Sequence, residues 1–298
     1  MEQLNSQYGL DGELSFQLGE GGLTKAVISN AHAGAEVYLH GGQLTHFQPK
    51  NAQPVIWMSK HAVFSHDKAI RGGVPICWPW FGPHTTDSGL PQHGFARSSE
   101  WSVIASESLP DGGTRLCLGL DSDGTHPYWS QPFELVFVIT VRETLQLSLT
   151  AMNIGSEPME LGAAFHTYFT VGDSSQIRIS GLDGCEYLDK PDGYAKKSQQ
   201  GDITLAGEVD RVYLGTLDDC VIDDPVLKRK IIVCKEGSES TIVWNPWIDN
   251  AKAMADFNDE GYQTMVCIES ANAANDVRTI ELGEAHTLVQ TIRVESND

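Results

Sequence analysis

The chain lacks paired cysteines, basic charge, a long apolar run and any sustained helical stripe. Each absence removes a class of protein. Its six cysteines, at positions 77, 117, 185, 220, 234 and 267, form no CxxC pair, and several sit in apolar strand-like runs such as RLCLGL and IIVCKEG. Buried reduced thiols are expected there, not a disulfide framework or a metal knot. Basic residues are scarce: 20 Lys and Arg stand against 40 Asp and Glu, a formal charge of -20. Nucleic-acid backbones and anionic membranes need a basic face, so neither is an expected partner. A small anion is still admissible, because a local pair of arginines outweighs the global field at contact range.

No apolar stretch approaches the roughly 20 residues a bilayer requires. The opening MEQLNSQYGLDGELSF has neither the basic start nor the apolar segment of a secretory signal, so a cytoplasmic protein is expected. GxGxxG, the Walker lysine loop, HExxH and GxSxG are all missing, and no Cys/His cluster has zinc spacing. No organic cofactor and no metal is therefore expected. His32, His40, His46, His61 and His66 lie early in the chain at spacings that match no ligand pattern and read mostly as surface groups.

What is present is a period of two. FELVFVITV from Phe133 is a strongly apolar strand; after the turn RET, LQLSLTAMNIG alternates Leu145, Leu147 and Leu149 with Gln146, Ser148 and Thr150. KRKIIVCKEG and STIVWNPW read as a second hairpin across GSES, and GAEVYLHGGQLTHFQP, GTRLCLGL, TMVCIES and HTLVQTIRVE as further strands. Turns such as PDGG, GLDG and KPDG separate them. The one helical candidate is a short segment at AKAMADF, with Asp249 and Asn250 as possible caps. With 298 residues and a hydrophobic fraction of 41%, this predicts one large antiparallel β-sandwich domain over residues 1–298, all-β, with a sizeable core and no internal repeat.

Polar residues embedded in structured apolar runs are the candidates for chemistry. RGGVPICWPWFGPH, from Arg71 to His84, cannot be a helix, and reads as a rigid aromatic-walled rim of a small-molecule site opened by Arg71. His93 and Arg97 stand in LPQHGFAR, His166 in LGAAFHTYF, Asp210 in GEVDRVY and Glu269 in MVCIESANAAND. A histidine in an apolar run is either a proton carrier near neutrality or a core residue bonded to a carbonyl. A glutamate closing an apolar strand faces either a cleft or solvent. Together they make a natural acid–base pair if the fold brings them into contact. The arginines suit a carboxylate or phosphate, or else ordinary salt bridges. The tryptophans of WPWFG and WNPW either stack on a sugar ring or seal the ends of the sandwich.

These motifs, RGGVPICWPWFGPH, LPQHGFAR, LGAAFHTYF and VCIESANA, taken in order, resemble those of the hexose-6-phosphate mutarotases (glucose-6-phosphate 1-epimerases) of the galactose mutarotase-like superfamily, over essentially the whole chain. The resemblance implies an antiparallel supersandwich with a sugar site on a concave sheet. It implies His166 as general acid on the ring oxygen, Glu269 as base on the anomeric hydroxyl, and His93 as a supporting hydrogen-bond partner. Asp210 becomes a sugar-binding aspartate, and Arg71 and Arg97 become the phosphate-binding residues. Gln92 and Trp244 complete the expected substrate contacts. The implied substrate is a hexose 6-phosphate. A monomer is expected, and because the acid must be protonated while the base is ionised, so is a His166 imidazolium facing a Glu269 carboxylate. Competing readings are a mutarotase of unphosphorylated aldoses, a non-catalytic carbohydrate-binding sandwich and a histidine–metal β-barrel enzyme.

Overall fold

A computed structural model describes residues 1–297, and its architecture is all-β. Two eight-stranded sheets, antiparallel throughout, carry the molecule. The front sheet runs, in spatial order, Ala195–Ser198, Glu186–Asp189, Val209–Leu214, Ser240–Asn245, Met265–Asn272, Ala163–Phe165 and Ile76–Cys77, with Tyr168–Thr170 also paired to Met265–Asn272. The back sheet runs Arg178–Ser180, Cys220–Asp224, Arg229–Glu236, Ala285–Ser296, Leu145–Asn153, Phe133–Val141, Thr114–Ser122 and Ser102–Ser108. A four-stranded meander from Leu14 to Pro49 and a two-stranded pair, Met159–Leu161 with Arg278–Ile280, complete the strands.

The alternation read from the sequence is the one the back sheet uses. Phe133, Leu135, Phe137 and Ile139 are buried, and face Asn153, Ala151, Leu149 and Leu147 across the hairpin. Phe137 is fully buried; its ring meets Trp101 at 6.1 Å and Phe165 of the front sheet at 5.7 Å. It therefore ties the two layers, since an aromatic ring contributes both buried area and edge contacts.

Two local expectations are corrected. KRKIIVCKEG and STIVWNPW do not form a hairpin: Arg229–Glu236 pairs with Cys220–Asp224 and Ala285–Ser296, whereas Ser240–Asn245 pairs with Val209–Leu214 and Met265–Asn272. Both edges of the first strand are already occupied, so GSES carries the chain from the back sheet to the front. Gly237 turns there at φ +71°, and Ser238 Oγ anchors the crossing on the carbonyls of Ser240 (2.9 Å) and Ala271 (2.6 Å). The short helix begins earlier than expected, at Trp247–Ala253, because Asn245 Oδ1 accepts the Trp247 N–H (2.9 Å). Asp249 and Asn250 lie inside it and cap nothing. A second short helix, Glu2–Tyr8, was not anticipated from the sequence. Among the described residues no helix is long and apolar enough to cross a membrane.

Truncating Phe137 to Ala should destabilise the protein by about 3–5 kcal/mol, the usual range for emptying an aromatic core site. Urea unfolding of the wild type and the variant measures it.

Candidate active site

Successive strand residues point to opposite faces. Val209, Tyr213, Val243, Val266 and Ile268 of the front sheet enter the core between the sheets. Their sequence neighbours must then stand on the outer face, where the registers align them into rungs. Leu188, Val212, Ile242 and Glu269 form one rung, and Asp210, Trp244, Cys267 and Tyr168 form the next. Ala163–Phe165 and Tyr168–Thr170 meet Met265–Asn272 in one continuous offset, which sets His166 directly opposite Glu269. The ladder pauses at that point: the His166 N–H goes to the Pro75 carbonyl (3.0 Å) and the Thr167 N–H to that of Phe165 (2.9 Å).

A cavity of about 610 Å³ opens over these rungs, and Arg71, Gln92, His93, Arg97, His166, Asp210, Trp244 and Glu269 all line it. At its floor His166 Nε2 lies 3.5 Å from Glu269 Oε1, with both side chains buried. The imidazole stacks on Tyr168 (4.9 Å between centroids) and meets Trp244 edge-on (5.7 Å). Burial drives the Glu269 carboxyl well above its ordinary value, and the neighbouring Asp210 charge adds to the effect. Burial also pushes the His166 imidazole down, to about 3, with Arg97 and Arg71 acting in the same direction. Both shifts favour neutral forms. Both directions oppose the charged imidazolium–carboxylate pairing expected from the sequence. His166 Nδ1 and Glu269 Oε2 are buried without a hydrogen-bond partner.

His93 reaches the cavity because the chain turns through positive φ at His93 (+63°) and Gly94 (+71°). Any Cβ at position 94 would collide with the Trp78 carbonyl, so glycine is required there. His93 Nδ1 faces Cys77 Sγ (3.4 Å) and accepts the Gly82 N–H (3.3 Å). Burial holds this imidazole neutral, with Arg97 acting the same way, so its remaining proton sits on Nε2 as a hydrogen-bond donor. Arg97, in the turn Ala96–Ser98, also comes round to the cavity. It donates to the Gln92 carbonyl (2.6 Å), and among the described residues it forms no ion pair with a carboxylate. Arg71 donates from Nε to Asp256 (3.2 Å) and from Nη1 to the Tyr168 hydroxyl (3.1 Å).

Other participants went unread in the sequence. Lys190, taken only as part of the KPDG turn, lines the cavity and bonds Asp210 Oδ2 (2.6 Å). Burial opposes its charge, but Asp210 outweighs this and holds it above the ordinary lysine value. Tyr168 shares a face with His166 by strand alternation, a relation legible in HTYF. Asp256 gave no such cue. The aromatic rim is also corrected: Trp78 and Trp80 belong to the core, against Phe133, Phe95 and Trp129, while Phe81, Gly82 and Pro83 face the cavity. Trp78 follows Cys77 and so points inward where Cys77 points out. Of the WNPW pair, Trp244 lines the cavity, whereas Trp247 packs on Tyr262 (5.2 Å). His40 is a core residue rather than a surface group, bonded through Nε2 to the Lys68 carbonyl (2.7 Å).

The sheet-borne cavity and its imidazole–carboxyl floor agree with the class that comparison assigns, the carbohydrate epimerases. Residues 24–293 match the family model described as aldose 1-epimerase, and the chain belongs to that family of isomerases. It is 36% identical over 274 residues to a protein of Cenchrus ciliaris named "Putative glucose-6-phosphate 1-epimerase", covering 88% of this chain and 82% of that one. A protein of the same name from Escherichia coli K12 is 35% identical over 269 residues, covering 90% and 89%. A solved structure of a "putative mutarotase" from Salmonella typhimurium superposes with a TM-score of 0.90 at 32% identity, covering 99% of each chain.

The raised Glu269 value has a stability consequence. A carboxyl whose folded pKa exceeds its unfolded one stabilises fully below the unfolded value, and that contribution is lost as pH rises toward the folded one. Glu269→Gln removes this loss. The variant should therefore gain stability relative to wild type on going from about pH 4 to about pH 7, as read from urea midpoints at the two pH values.

Proposed function

We propose that this chain is a glucose-6-phosphate 1-epimerase, interconverting the α and β anomers of hexose 6-phosphates. One observation carries the reading: a buried imidazole and a buried carboxyl face each other at 3.5 Å on the floor of a cavity. The two oxygens that exchange protons in ring opening are attached to the same carbon, so an acid and a base must also be neighbours.

In this reading Glu269 takes the anomeric hydroxyl proton while His166 gives one to the ring oxygen. The C–O bond breaks, the open-chain aldehyde forms, rotation about C1–C2 presents its other face, and the reverse transfers close the opposite anomer. The sugar hydroxyls stand in for water while the pair is charged. After ring opening the pair is neutral, the form that burial favours, so no charge is left stranded beside the aldehyde. His93, with Nε2–H available, donates to oxygens near the ring, and Asp210 and Gln92 take sugar hydroxyls. Trp244 offers an apolar face to the ring. Arg97, which forms no carboxylate pair among the described residues, and Arg71 receive the phosphate, and holding it fixes the far end of the substrate while C1 reacts. The names of the relatives in Cenchrus ciliaris and Escherichia coli support glucose 6-phosphate as the substrate.

The reading extends to one domain acting as a monomer in the cytoplasm on a small molecule, without metal or organic cofactor. The charge of -20 argues against nucleic-acid or membrane partners.

Magnetisation-exchange NMR of hexose 6-phosphate anomers tests the function: exchange should exceed that in buffer and vanish in Glu269→Gln. Arg97→Ala should raise KM for glucose 6-phosphate about 10–100-fold, the range for losing a charge-assisted hydrogen bond, and leave glucose nearly unaffected. Equal effects on both sugars would remove the phosphate assignment. The pH profile is also constrained, because the pair works only with one proton. It takes a second only near the lowered His166 value, about 3, and loses its only one near the raised Glu269 value. The acid limb of kcat/KM should fall well below the ordinary imidazole range near about 6.5.

A further inference from the structure

Behind the imidazole–carboxyl pair, on the core side of the front sheet, lies a buried amide that the proposed chemistry does not use. Gln290 belongs to the back-sheet strand Ala285–Ser296 and is fully buried. Its Oε1 accepts the Thr167 hydroxyl proton at 2.5 Å, and its Nε2 donates to Ser270 Oγ at 3.0 Å and to the Ile268 carbonyl at 3.4 Å. Thr167 follows His166; Ile268 and Ser270 flank Glu269. Strand alternation turns Thr167 and Ser270 to the core wherever His166 and Glu269 face the cavity. The amide thus spans the two segments at the point where their own ladder pauses.

We propose that Gln290 is a positioning residue: from the opposite sheet it holds the strand of Glu269 and the segment of His166 at the spacing and aim that proton exchange with a hemiacetal needs. The inference rests on the epimerase reading above. The geometry has no cheaper explanation in packing. An apolar side chain would fill the same inter-sheet space without desolvating an amide, and a buried amide is tolerated only when bonded at both ends. Both ends of this one reach the neighbours of the reacting pair. Ladder pairs fix the register on either side, but here the backbone donors of His166 and Thr167 are directed elsewhere, so the local spacing and aim at this point rest also on the Gln290 side chain.

The test uses Gln290→Leu and the triple variant Thr167→Val, Ser270→Ala, Gln290→Leu in the full chain. The triple variant replaces the bonded groups by apolar ones of similar shape and so leaves no buried hydroxyl without a partner. It also keeps the test open if Gln290→Leu alone fails to fold. Misplacement by about 1 Å costs on the order of 100-fold in rate. Both variants are therefore expected to lose about 10–100-fold in kcat, with KM for glucose 6-phosphate within about twofold, because the arginines are untouched. The triple variant should do so while recovering wild-type stability. Recovery of kcat together with stability, or a kcat unchanged in Gln290→Leu, would overturn the proposal. Nitrogen-15 NMR titration of His166 gives a readout independent of turnover. If the wild type shows no anomer exchange above buffer, the epimerase reading fails. The clamp is then judged on the ring nitrogens: a moved His166 titration in the variants supports it, and an unmoved one overturns it.

Discussion

Everything in the site follows from one cross-strand register. The offset that pairs Ala163 with Asn272 and Tyr168 with Cys267 leaves His166 facing Glu269, on a face where both are buried. In solution the two would exchange a proton and carry opposite charges. On the sheet, burial penalises that charged form. The charged and neutral forms of the pair differ only in where one proton sits. Moving one proton off an oxygen and another onto its neighbour is the same change seen from the substrate's side. A slip of one residue in either strand would turn that strand's reacting group into the core and abolish the site.

Around this pair the fold separates rigid walls from charged rims. The floor is built of strand residues fixed by their ladders: Asp210, Val212, Ile242, Trp244 and Glu269. The cations arrive from irregular segments. Arg71 precedes a glycine pair, Arg97 lies in a single helical turn, and Lys190 lies in the turn after Glu186–Asp189. Each cation has a different tether. Among the described residues, Arg71 is held by Asp256 and Tyr168, Lys190 by Asp210, and Arg97 by a backbone carbonyl alone. Arg97 is therefore the one whose charge is least answered by the protein, which matters in a chain with twice as many acidic as basic residues.

Much of this was legible in the sequence because β-structure writes its pattern with a period of two. The strands at Phe133, Leu145, Thr264 and His286 could be read directly, as could the membership of His166 and Glu269 in apolar strands. What failed did so for lack of long-range information. The GSES segment looked like a hairpin since nothing local says that Arg229–Glu236 has both edges taken. Trp78 and Trp80 looked like a sugar platform because aromatic density does not reveal which way a short strand faces. Lys190, Asp256 and Gln290 carried no signal at all: each matters only through a partner 20, 185 and 123 residues away, respectively, at Asp210, Arg71 and Thr167.

The strand order of the front sheet also has a temporal meaning. Its central strand, Met265–Asn272, is among the last segments of the chain, yet it is the one on which Ser240–Asn245, Ala163–Phe165 and Tyr168–Thr170 all pair. On the ribosome the imidazole emerges about a hundred residues before the carboxyl it faces. Until the final strands arrive, the inner edges of the earlier ones are open, exposing backbone groups and apolar side chains of the kind that chaperones recognise. The reactive centre of a nascent chain therefore cannot form before Met265–Asn272 has been made, however early its imidazole emerges.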